Sequence, residues 1–484
     1  MRKIRFLFFT GLALLLSFQS FSQQGTKQGR TNVIILHVND MHAKIDNLPK
    51  LAYLADSLRK TNPYVFLVSA GDNFTGNPVV DMALDKGSPM IDLMNHCGFN
   101  VSAIGNHEFD LGQETLNKRF EQAKFPFICC NLKVDGGTLE QPNPFFILDV
   151  GNKIHIALLG ILEINDKGIP DTHPSKVTGI RFTNGISRAK EYKWLKKQYG
   201  ILIGLTHLGV DTDIRLADSI PEFDEIIGGH SHTLIEKPIM ENGVMIVQDG
   251  SNLNYIGKTT LSIENGLVAE RDDEVIPITA LHRSDSLSTA LCAKYNDNEE
   301  FNKVIGIVST NLKGYDELGC LMTDALTHQL KADIAFLNQG GIRFSSLLQG
   351  PIRIKDIYKI DPFGNLVVTF RMNTEEIKSL ISYSWNLEKR ADLQVSGMKY
   401  RVTSDRNGNF IKVDLFDESG NVLNAEKEYT VVMNSYIAAS YRFNHKDPGI
   451  TGSITTAELL INYIKEIKKI NYHGLKRIFQ VIRP

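Results

Sequence analysis

Side chains that can bind a metal ion recur at five places in the first half of the chain, each time where an apolar segment ends. They are Asp40 and His42 after VIILHV, Asp72 after FLVSA, Asn106, His107 and Asp110 in SAIGNHEFD, His207 in GLTHLG, and His230 and His232 in IIGGHSH. Each motif alone also fits an ordinary surface turn, because Gly, Asn and Asp favour turns for backbone reasons. Their recurrence at five segment ends favours a shared metal centre.

The ligand types indicate which metals and which chemistry this centre would serve. Carboxylate, amide and imidazole ligands together suit borderline divalent metals rather than an all-oxygen calcium site. Roughly seven candidate ligands are too many for one tetrahedral zinc with an open position. Two ions about 3.5–4 Å apart that share one carboxylate would use all of them, and such sites favour in-line displacement at phosphorus.

The segments that carry these side chains have the pattern of an α/β domain. Short β-branched runs at 33–38, 64–70, 154–161, 201–207 and 224–229 predict buried strands, and helical patterns cover 48–60 and 187–199. A Glu-Asn-Gly turn within 262–270 predicts a hairpin. In a layered α/β sheet the strand ends converge on one edge, so the candidate ligands are expected to meet there.

The N-terminus has the three-part pattern of a secretory signal peptide. Arg2, Lys3 and Arg5 precede the apolar run FLFFTGLALLLSF, and small residues at Ser20 and Ser22 precede Gln23. The alternative is a membrane anchor, but the run is shorter than the roughly 20 apolar residues that a spanning helix needs. No cysteine precedes Cys97, so no thiol stands near the cleavage point for a lipid. We therefore expect residues 1–22 to be removed and the protein to be secreted or periplasmic, without a stable membrane anchor.

The remaining sequence divides into two parts joined by a polar segment. The formal net charge of -2 and the absence of a basic stripe give no reason to expect a nucleic-acid partner. Residues 279–303 are polar and partly helical in pattern, so we interpret them as a linker between a first domain, 31–278, and a second, 304–484. The five cysteines show no CxxC spacing and are interpreted mostly as buried free thiols.

The motifs NDMHA, GDN, GNHEFD, THLG and GGHSH, in this order, resemble those of the calcineurin-like metallophosphoesterases. NQGGIR at 338–343 and DPFGN at 361–365 resemble the C-terminal domain of the 5′-nucleotidase family. The resemblance implies a layered α/β/β/α sandwich followed by a separate α/β substrate-binding domain. It also implies an exported hydrolase that releases phosphate from nucleoside 5′-monophosphates or related nucleotides.

The resemblance also implies a role for each site residue. One ion would be held by Asp40, His42, Asp72 and His232, and a second by Asp72, Asn106, His207 and His230; Zn, Mn and Co are all compatible. His107 and Asp110 resemble the catalytic pair of the family. The substrate contacts would be Asn338, Arg343, Phe363, Asn365 and Tyr436.

Two departures from the family pattern leave the substrate open. The Gly-Gly-Asp-Gly run that usually follows the second stacking aromatic is missing after Tyr436, where Arg442 stands instead, and Cys320 replaces the usual Asn or Arg. The alternatives are a cyclic phosphodiester, a nucleotide sugar, another phosphomonoester, or a nucleotide-binding protein without catalysis. The sequence does not predict the oligomeric state.

Overall fold

A computed structural model describes residues 30–151, 153–344 and 346–483. The predicted signal peptide, 1–22, lies outside these residues. Within them, no helix has both the length and the apolar character that crossing a membrane requires.

The first half of the chain forms two six-stranded sheets and a small two-stranded one, β5 with β8. The strands are β1 Thr31–Val38, β2 Val65–Ser69, β3 Val101–Ala103, β4 Phe127–Ile128, β5 Leu132–Val134, β6 Phe145–Gly151, β7 Ile154–Leu162, β8 Ile180–Phe182, β9 Gly200–His207, β10 Glu225–Ile227, β11 Ile239–Glu241, β12 Val244–Val247, β13 Tyr255–Glu264 and β14 Leu267–Pro277. One sheet has the order β14-β13-β1-β2-β3-β4 and the other β11-β12-β10-β9-β7-β6. All five predicted strands are present.

Helices cover the outer faces of these sheets. Those of the first half and the connection are α1 Leu48–Arg59, α2 Pro78–Asp81, α3 Ser88–Cys97, α4 Gln113–Gln122, α5 Gly185–Lys190, α6 Trp194–Tyr199, α7 Val210–Ser219, α8 Ser286–Asn296 and α9 Glu299–Asn302. Alternate residues of the strands, such as Val33, Val68 and Ile203, pack between the two sheets. Their neighbours, such as Ile34 and Leu202, pack outward under α1 and α3 or α6 and α7. The α/β/β/α sandwich is confirmed.

The helical pattern at 187–199 corresponds to two short helices, α5 and α6, which are separated at residues 191–193. The rings of Tyr192 and Trp194 both contact Phe145, with centroids 6.3 and 5.8 Å away. Residues two apart point to different sides of a helix. A break between α5 and α6 lets both rings reach the same partner.

The segment predicted as a linker contains α8 and α9. The side chain of Asp285 accepts a hydrogen bond from the backbone N–H of Ser288, 2.7 Å away, and so caps α8. Cys292 of α8 is buried in the core of the first half. We propose that α8 and α9 form the connection between domains 31–278 and 304–484. All five cysteines are free and buried.

The second half is built around a mixed five-stranded sheet with the order β21-β17-β24-β20-β25. Its strands are β15 Val304–Val308, β16 Leu312–Lys313, β17 Ile334–Asn338, β18 Ser346–Leu347, β19 Gly350–Arg353, β20 Leu366–Met372, β21 Leu393–Ser396, β22 Lys399–Ser404, β23 Phe410–Phe416, β24 Tyr429–Asn434, β25 Ile450–Thr455, β26 Lys469–Ile470 and β27 Ile478–Ile482. Its helices are α10 Gly314–Leu330, α11 Ile354–Ile360, α12 Thr374–Glu388, α13 Ser435–Ser440 and α14 Thr456–Ile467.

The direction of three central strands brings the predicted substrate contacts together. β17 and β24 are parallel, so Asn338 at the end of β17 and Tyr436 just after β24 lie at the same edge. β20 is antiparallel to β24, and Val367 pairs with Asn434. The residues that precede β20, Phe363 and Asn365, therefore reach this same edge.

Candidate active site

Each predicted metal-binding side chain lies at or just after the carboxyl end of a strand. β1 is parallel to β2, and β2 to β3, so the loops that carry Asp40, Asp72 and Asn106 leave the first sheet at one edge. β9 and β10 are also parallel, and they deliver His207 and His230 from the second sheet. The two sheets are packed face to face, so these loops meet at one end of the sandwich.

The predicted ligand atoms form two groups. Nε2 of His232 lies 3.0 Å from Nε2 of His42 and 3.3 Å from Oδ1 of Asp40. In the other group, Nε2 of His207 lies 3.1 Å from Oδ2 of Asp72. Oδ1 of Asn106 lies 3.2 Å from Nε2 of His207 and 3.1 Å from Nδ1 of His230. Asp72 has ligand atoms within 4.8 Å of both His42 and His207, so it lies between the groups.

The backbone at these ligands is strained. Five of the seven candidates have left-handed φ angles: Asp40 at 48°, His42 at 47°, Asp72 at 55°, His230 at 78° and His232 at 55°. A non-glycine residue in this region costs of order 1–3 kcal/mol, and such residues cluster at functional sites. The left-handed backbone at these five residues therefore lowers the stability of the folded structure, while it directs their side chains toward the site.

Hydrogen bonds hold the ligand loops against this strain. Oδ2 of Asp40 accepts from the amide of Asn39 at 2.7 Å and from the backbone N–H of His230 at 2.9 Å. Nδ1 of His207 donates to the carbonyl oxygen of Ala70 at 2.8 Å, which leaves Nε2 free for a ligand role. A bond of this kind fixes the tautomer of a metal-binding imidazole.

Glu108 of GNHEFD anchors the loop that carries Asp72. The sequence alone assigned no role to this residue. Its carboxylate accepts from the backbone N–H groups of Gly105 at 2.6 Å, Asp72 at 3.0 Å and Asn73 at 2.7 Å, and from the amide of Asn73 at 3.1 Å. Gly105 was expected for a turn, but its role is close approach: a Cβ there would lie 2.2 Å from Oδ1 of Asp72.

The residues fit divalent metal ions. Oδ1 of Asp40 is buried and has no hydrogen-bond partner, yet it faces imidazole nitrogens of His42 at 3.7 Å and His232 at 3.3 Å. A buried carboxylate oxygen without a partner is costly. An ion between these atoms would satisfy Oδ1 of Asp40 and give both imidazoles a shared ligand.

Burial and charge shift the ionisation of the ligand side chains. Burial lowers the pKa of His207, but Asp72 and Asp40 outweigh burial and raise this pKa to about 10. Burial, joined by the charge of His207, lowers the pKa of His230 to about 4. Burial alone would raise the pKa of Asp72, yet His207 and His107 hold it well below its usual value. A metal ion at His207 would therefore displace a proton.

His107 and Asp110 form a hydrogen-bonded pair beside the ligands. Nδ1 of His107 lies 2.6 Å from Oδ2 of Asp110. Nε2 of His107 points to Oδ2 of Asp72, 3.9 Å away. A carboxylate on one ring nitrogen fixes the tautomer and leaves the other nitrogen facing the site.

The second domain forms the other wall of a cleft of about 220 Å³ over the ligands. All five predicted substrate contacts line it: Asn338, Arg343, Phe363, Asn365 and Tyr436. The ring of Phe363 lies 5.7 Å from the ring of His107, centroid to centroid, and the guanidinium of Arg343 donates to the imidazole of His42. The structure thus brings together all fourteen predicted site residues.

The segment between β7 and β8 also lines the cleft, through Asp171, Thr172, His173 and Lys176. Sequence reasoning missed it. It carries no motif, and the one available signal was its place after the carboxyl end of β7, the strand next to β9.

Two family models match the chain. The model of the calcineurin-like phosphoesterases matches residues 33–234, and that of the 5′-nucleotidase C-terminal domain matches residues 302–443. The chain belongs to the 5′-nucleotidase family of metallophosphoesterases, which are metal-dependent phosphoester hydrolases.

Relatives and solved structures agree with this family. The chain is 27% identical to a 5′-nucleotidase of Vibrio cholerae over 92% of each chain. It is 25% identical to the endonuclease YhcR of Bacillus subtilis over 92% of its own length, but it spans only 40% of that relative. The crystal structure of a 5′-nucleotidase precursor from Thermus thermophilus superposes with a TM-score of 0.83 at 23% identity, covering 94% of this chain and 100% of that one. This similarity shows that the two proteins share the fold.

Replacing Glu108 with Gln tests its anchoring role. One N–H of the new amide must face a backbone N–H of the Asp72 loop, so a buried donor loses its acceptor. We expect the free energy of unfolding to fall by about 1–3 kcal/mol and divalent-ion affinity to fall about tenfold or more, measured by denaturant unfolding and by calorimetric titration. Glu114→Gln, at an exposed position of α4, is the matched control. Equal metal affinities in the two variants would refute the role.

Proposed function

We propose that this protein hydrolyses nucleoside 5′-monophosphates or related nucleotides at a two-metal centre and releases phosphate. The observation that carries the proposal is that Asp72 lies between two groups of ligand atoms, opposite a wall that contains a guanidinium and two aromatic rings. Two ions that share one carboxylate are typical of sites that catalyse displacement at a phosphoryl group. Aromatic rings opposite them can stack on a nucleobase.

The ligand residues would divide between two ions. Asp40, His42 and His232 would hold one, Asn106, His207 and His230 the other, and Asp72 both. Zinc, manganese and cobalt all suit this mixture of ligands. When bound, such ions supply a nucleophilic hydroxide near neutral pH and neutralise charge on the transferred group.

The other residues bind and orient the substrate. The guanidinium of Arg343 suits a phosphate, which it can contact through two parallel hydrogen bonds. Nε2 of His107 would face the phosphoryl oxygens, while Asp110 holds the ring through Nδ1, 2.6 Å away. Phe363 and Tyr436 would hold the base between them, with Asn338 and Asn365 as polar contacts beside it.

The 5′-nucleotidase of Vibrio cholerae, aligned over most of both chains, supports a nucleotide substrate. The alternatives are a phosphodiester, a nucleotide sugar or another monoester, and a nucleotide-binding protein without catalysis. A screen that measures phosphate released from each class of substrate separates these alternatives. If the metal-loaded protein turned over none of the substrates, the result would favour a nucleotide-binding protein without catalysis.

We expect Asp72→Asn and His107→Ala to lower activity for different reasons. Asp72 would serve both ions, so its loss should remove metal and activity together. His107 would face the transition state without binding metal, so His107→Ala should keep full metal content and lower kcat by on the order of 10²–10⁴-fold.

Elemental analysis and steady-state kinetics measure both effects. Chelation should abolish activity in wild type, and Mn²⁺, Co²⁺ or Zn²⁺ should restore it. Turnover by protein that is verified to be metal-free would rule out the two-metal proposal. Metal lost along with activity in His107→Ala would make His107 a ligand.

Phe363→Ala tests whether the substrate carries a base. Loss of one stacking ring costs roughly 0.5–1.5 kcal/mol beyond area burial, so KM for AMP should rise several-fold, since 1.4 kcal/mol is tenfold. Hydrolysis of glycerol phosphate, which has no ring, should barely change because the metals and Arg343 still hold its phosphate. Equal losses on both substrates would make Phe363 a packing residue and argue against a nucleotidase in the strict sense.

We also propose that residues 1–22 direct export and are then removed. The support is the basic, apolar and small-residue pattern of this segment. In the producing cell, the mature protein should begin at Gln23 and appear outside the cytoplasm, measured by N-terminal sequencing and fractionation. Intact protein in the membrane fraction would instead indicate an anchor.

A further inference from the structure

Two consecutive residues that no motif contains, Asp171 and Thr172, contact three parts of the proposed active site. The backbone carbonyl oxygen of Asp171 accepts from the side-chain amide of Asn106 at 3.0 Å, and its carboxylate accepts from the hydroxyl of Tyr436 at 2.5 Å. The hydroxyl of Thr172 donates to Oδ1 of Asp110 at 3.0 Å. We call Asp171 and Thr172 the brace.

The brace is itself anchored to the end of β7. The backbone N–H of Asp171 donates to Oε1 of Glu163 at 2.6 Å, and Glu163 directly follows β7. Thr172 is only 4% exposed. A hydrogen bond made by a buried hydroxyl is shielded from competing water.

We propose that Asp171 and Thr172 are positioning residues, which orient Asn106 and the His107–Asp110 pair and connect them to Tyr436 of the second domain. This inference rests on the proposed function, and it adds residues to the site that the family motifs do not contain.

Thr172 controls the carboxylate of Asp110. Oδ2 of Asp110 faces Nδ1 of His107 at 2.6 Å, and the hydroxyl of Thr172 holds the other oxygen at 3.0 Å. With both oxygens bonded, the carboxylate cannot rotate away from the imidazole. The direction of the His107 ring therefore depends on Thr172.

The carbonyl oxygen of Asp171 decides which end of the Asn106 amide faces the metal ligands. Because Nδ2 donates to this carbonyl, Oδ1 is left facing His207 at 3.2 Å and His230 at 3.1 Å. A flipped amide would present N–H donors, which cannot bind a cation.

The hydrogen bond to Asp171 gives the hydroxyl of Tyr436 a role that is separate from stacking by its ring. A phenyl ring alone would stack on a base equally well. The phenol instead donates across the cleft to the first domain, so the wall that contacts the base and the loop that orients Asn106 are held in one arrangement.

Thr172→Val tests the brace at nearly constant volume. With the metal-loaded enzyme, we expect kcat to fall on the order of three- to tenfold for both AMP and glycerol phosphate, the usual effect of one lost hydrogen bond. KM and metal content should not change. Thr172→Ser, which restores a hydroxyl, should recover most of the rate. Thr178→Val, which removes an exposed hydroxyl bonded only to the carbonyl oxygen of Ser175, is the matched control.

A spectroscopic measurement separates positioning from general destabilisation. The Nδ1 proton of His107, identified by its absence from His107→Ala, should shift in the proton NMR spectrum of Thr172→Val and stay in place in Thr178→Val. An unshifted proton, or a kcat for Thr172→Val within twofold of the control, would overturn the role of Thr172.

Tyr436→Phe tests the connection to the second domain. Because the ring remains, KM for AMP should stay the same, while kcat should fall a few-fold on AMP and glycerol phosphate alike. The double variant Tyr436→Phe with Asp171→Ala lacks both the hydroxyl and the carboxylate of this hydrogen bond. Its kcat should be no lower than that of Asp171→Ala alone, since the same single bond is lost in both variants. Additive losses, or an unchanged kcat in Tyr436→Phe, would overturn the connection. An inactive wild type would instead refute the proposed function.

Discussion

The buried carboxylate of Asp72 is the group around which the ends of both sheets are arranged. It sits between imidazoles, and its loop is held from one side by Glu108 and from the other by the loop after β1. Backbone bonds from Asp40 to Gly71 at 3.0 Å, and from His42 to Asp72 at 3.0 Å, continue the ladder between β1 and β2 beyond the strands. These bonds offset the left-handed backbone that the ligands require.

The sequence was informative where a chemical group follows directly on a strand. Asp40, Asp72 and His207 could be predicted to meet because parallel strands deliver their carboxyl ends to one edge, and a buried strand is visible as a short β-branched run. The residues that hold them were less visible. Glu108 looked like part of a turn, and three of its four donors belong to Asp72 and Asn73, which are 36 and 35 residues away in sequence. The break between α5 and α6 was not visible either, and there Tyr192 and Trp194 both contact Phe145 of β6, a partner that is distant in sequence.

In the second domain the sequence alone predicted much less. Asn338, Phe363 and Tyr436 are separated by long stretches, and no ligand chemistry distinguishes an aromatic contact from core packing. Their convergence follows from the antiparallel pairing of β20 with β24, which places the start of one strand beside the end of the other. Such pairing between distant segments is not encoded in local pattern. Only the resemblance to a family identified these residues, and it gave no sign of the hydroxyl contact of Tyr436.

Arg343 shows how the two domains would share the work of binding. Its guanidinium contacts the imidazole of His42 from the opposite side of the cleft, and burial together with this cation holds the pKa of His42 well below its usual value. An imidazole with a lowered pKa stays neutral, which is the form that binds a metal. A guanidinium this close to a candidate metal ligand can also reach a phosphoryl group bound at the same ligands, so the first domain would hold that group through its metal ligands and the second through Arg343.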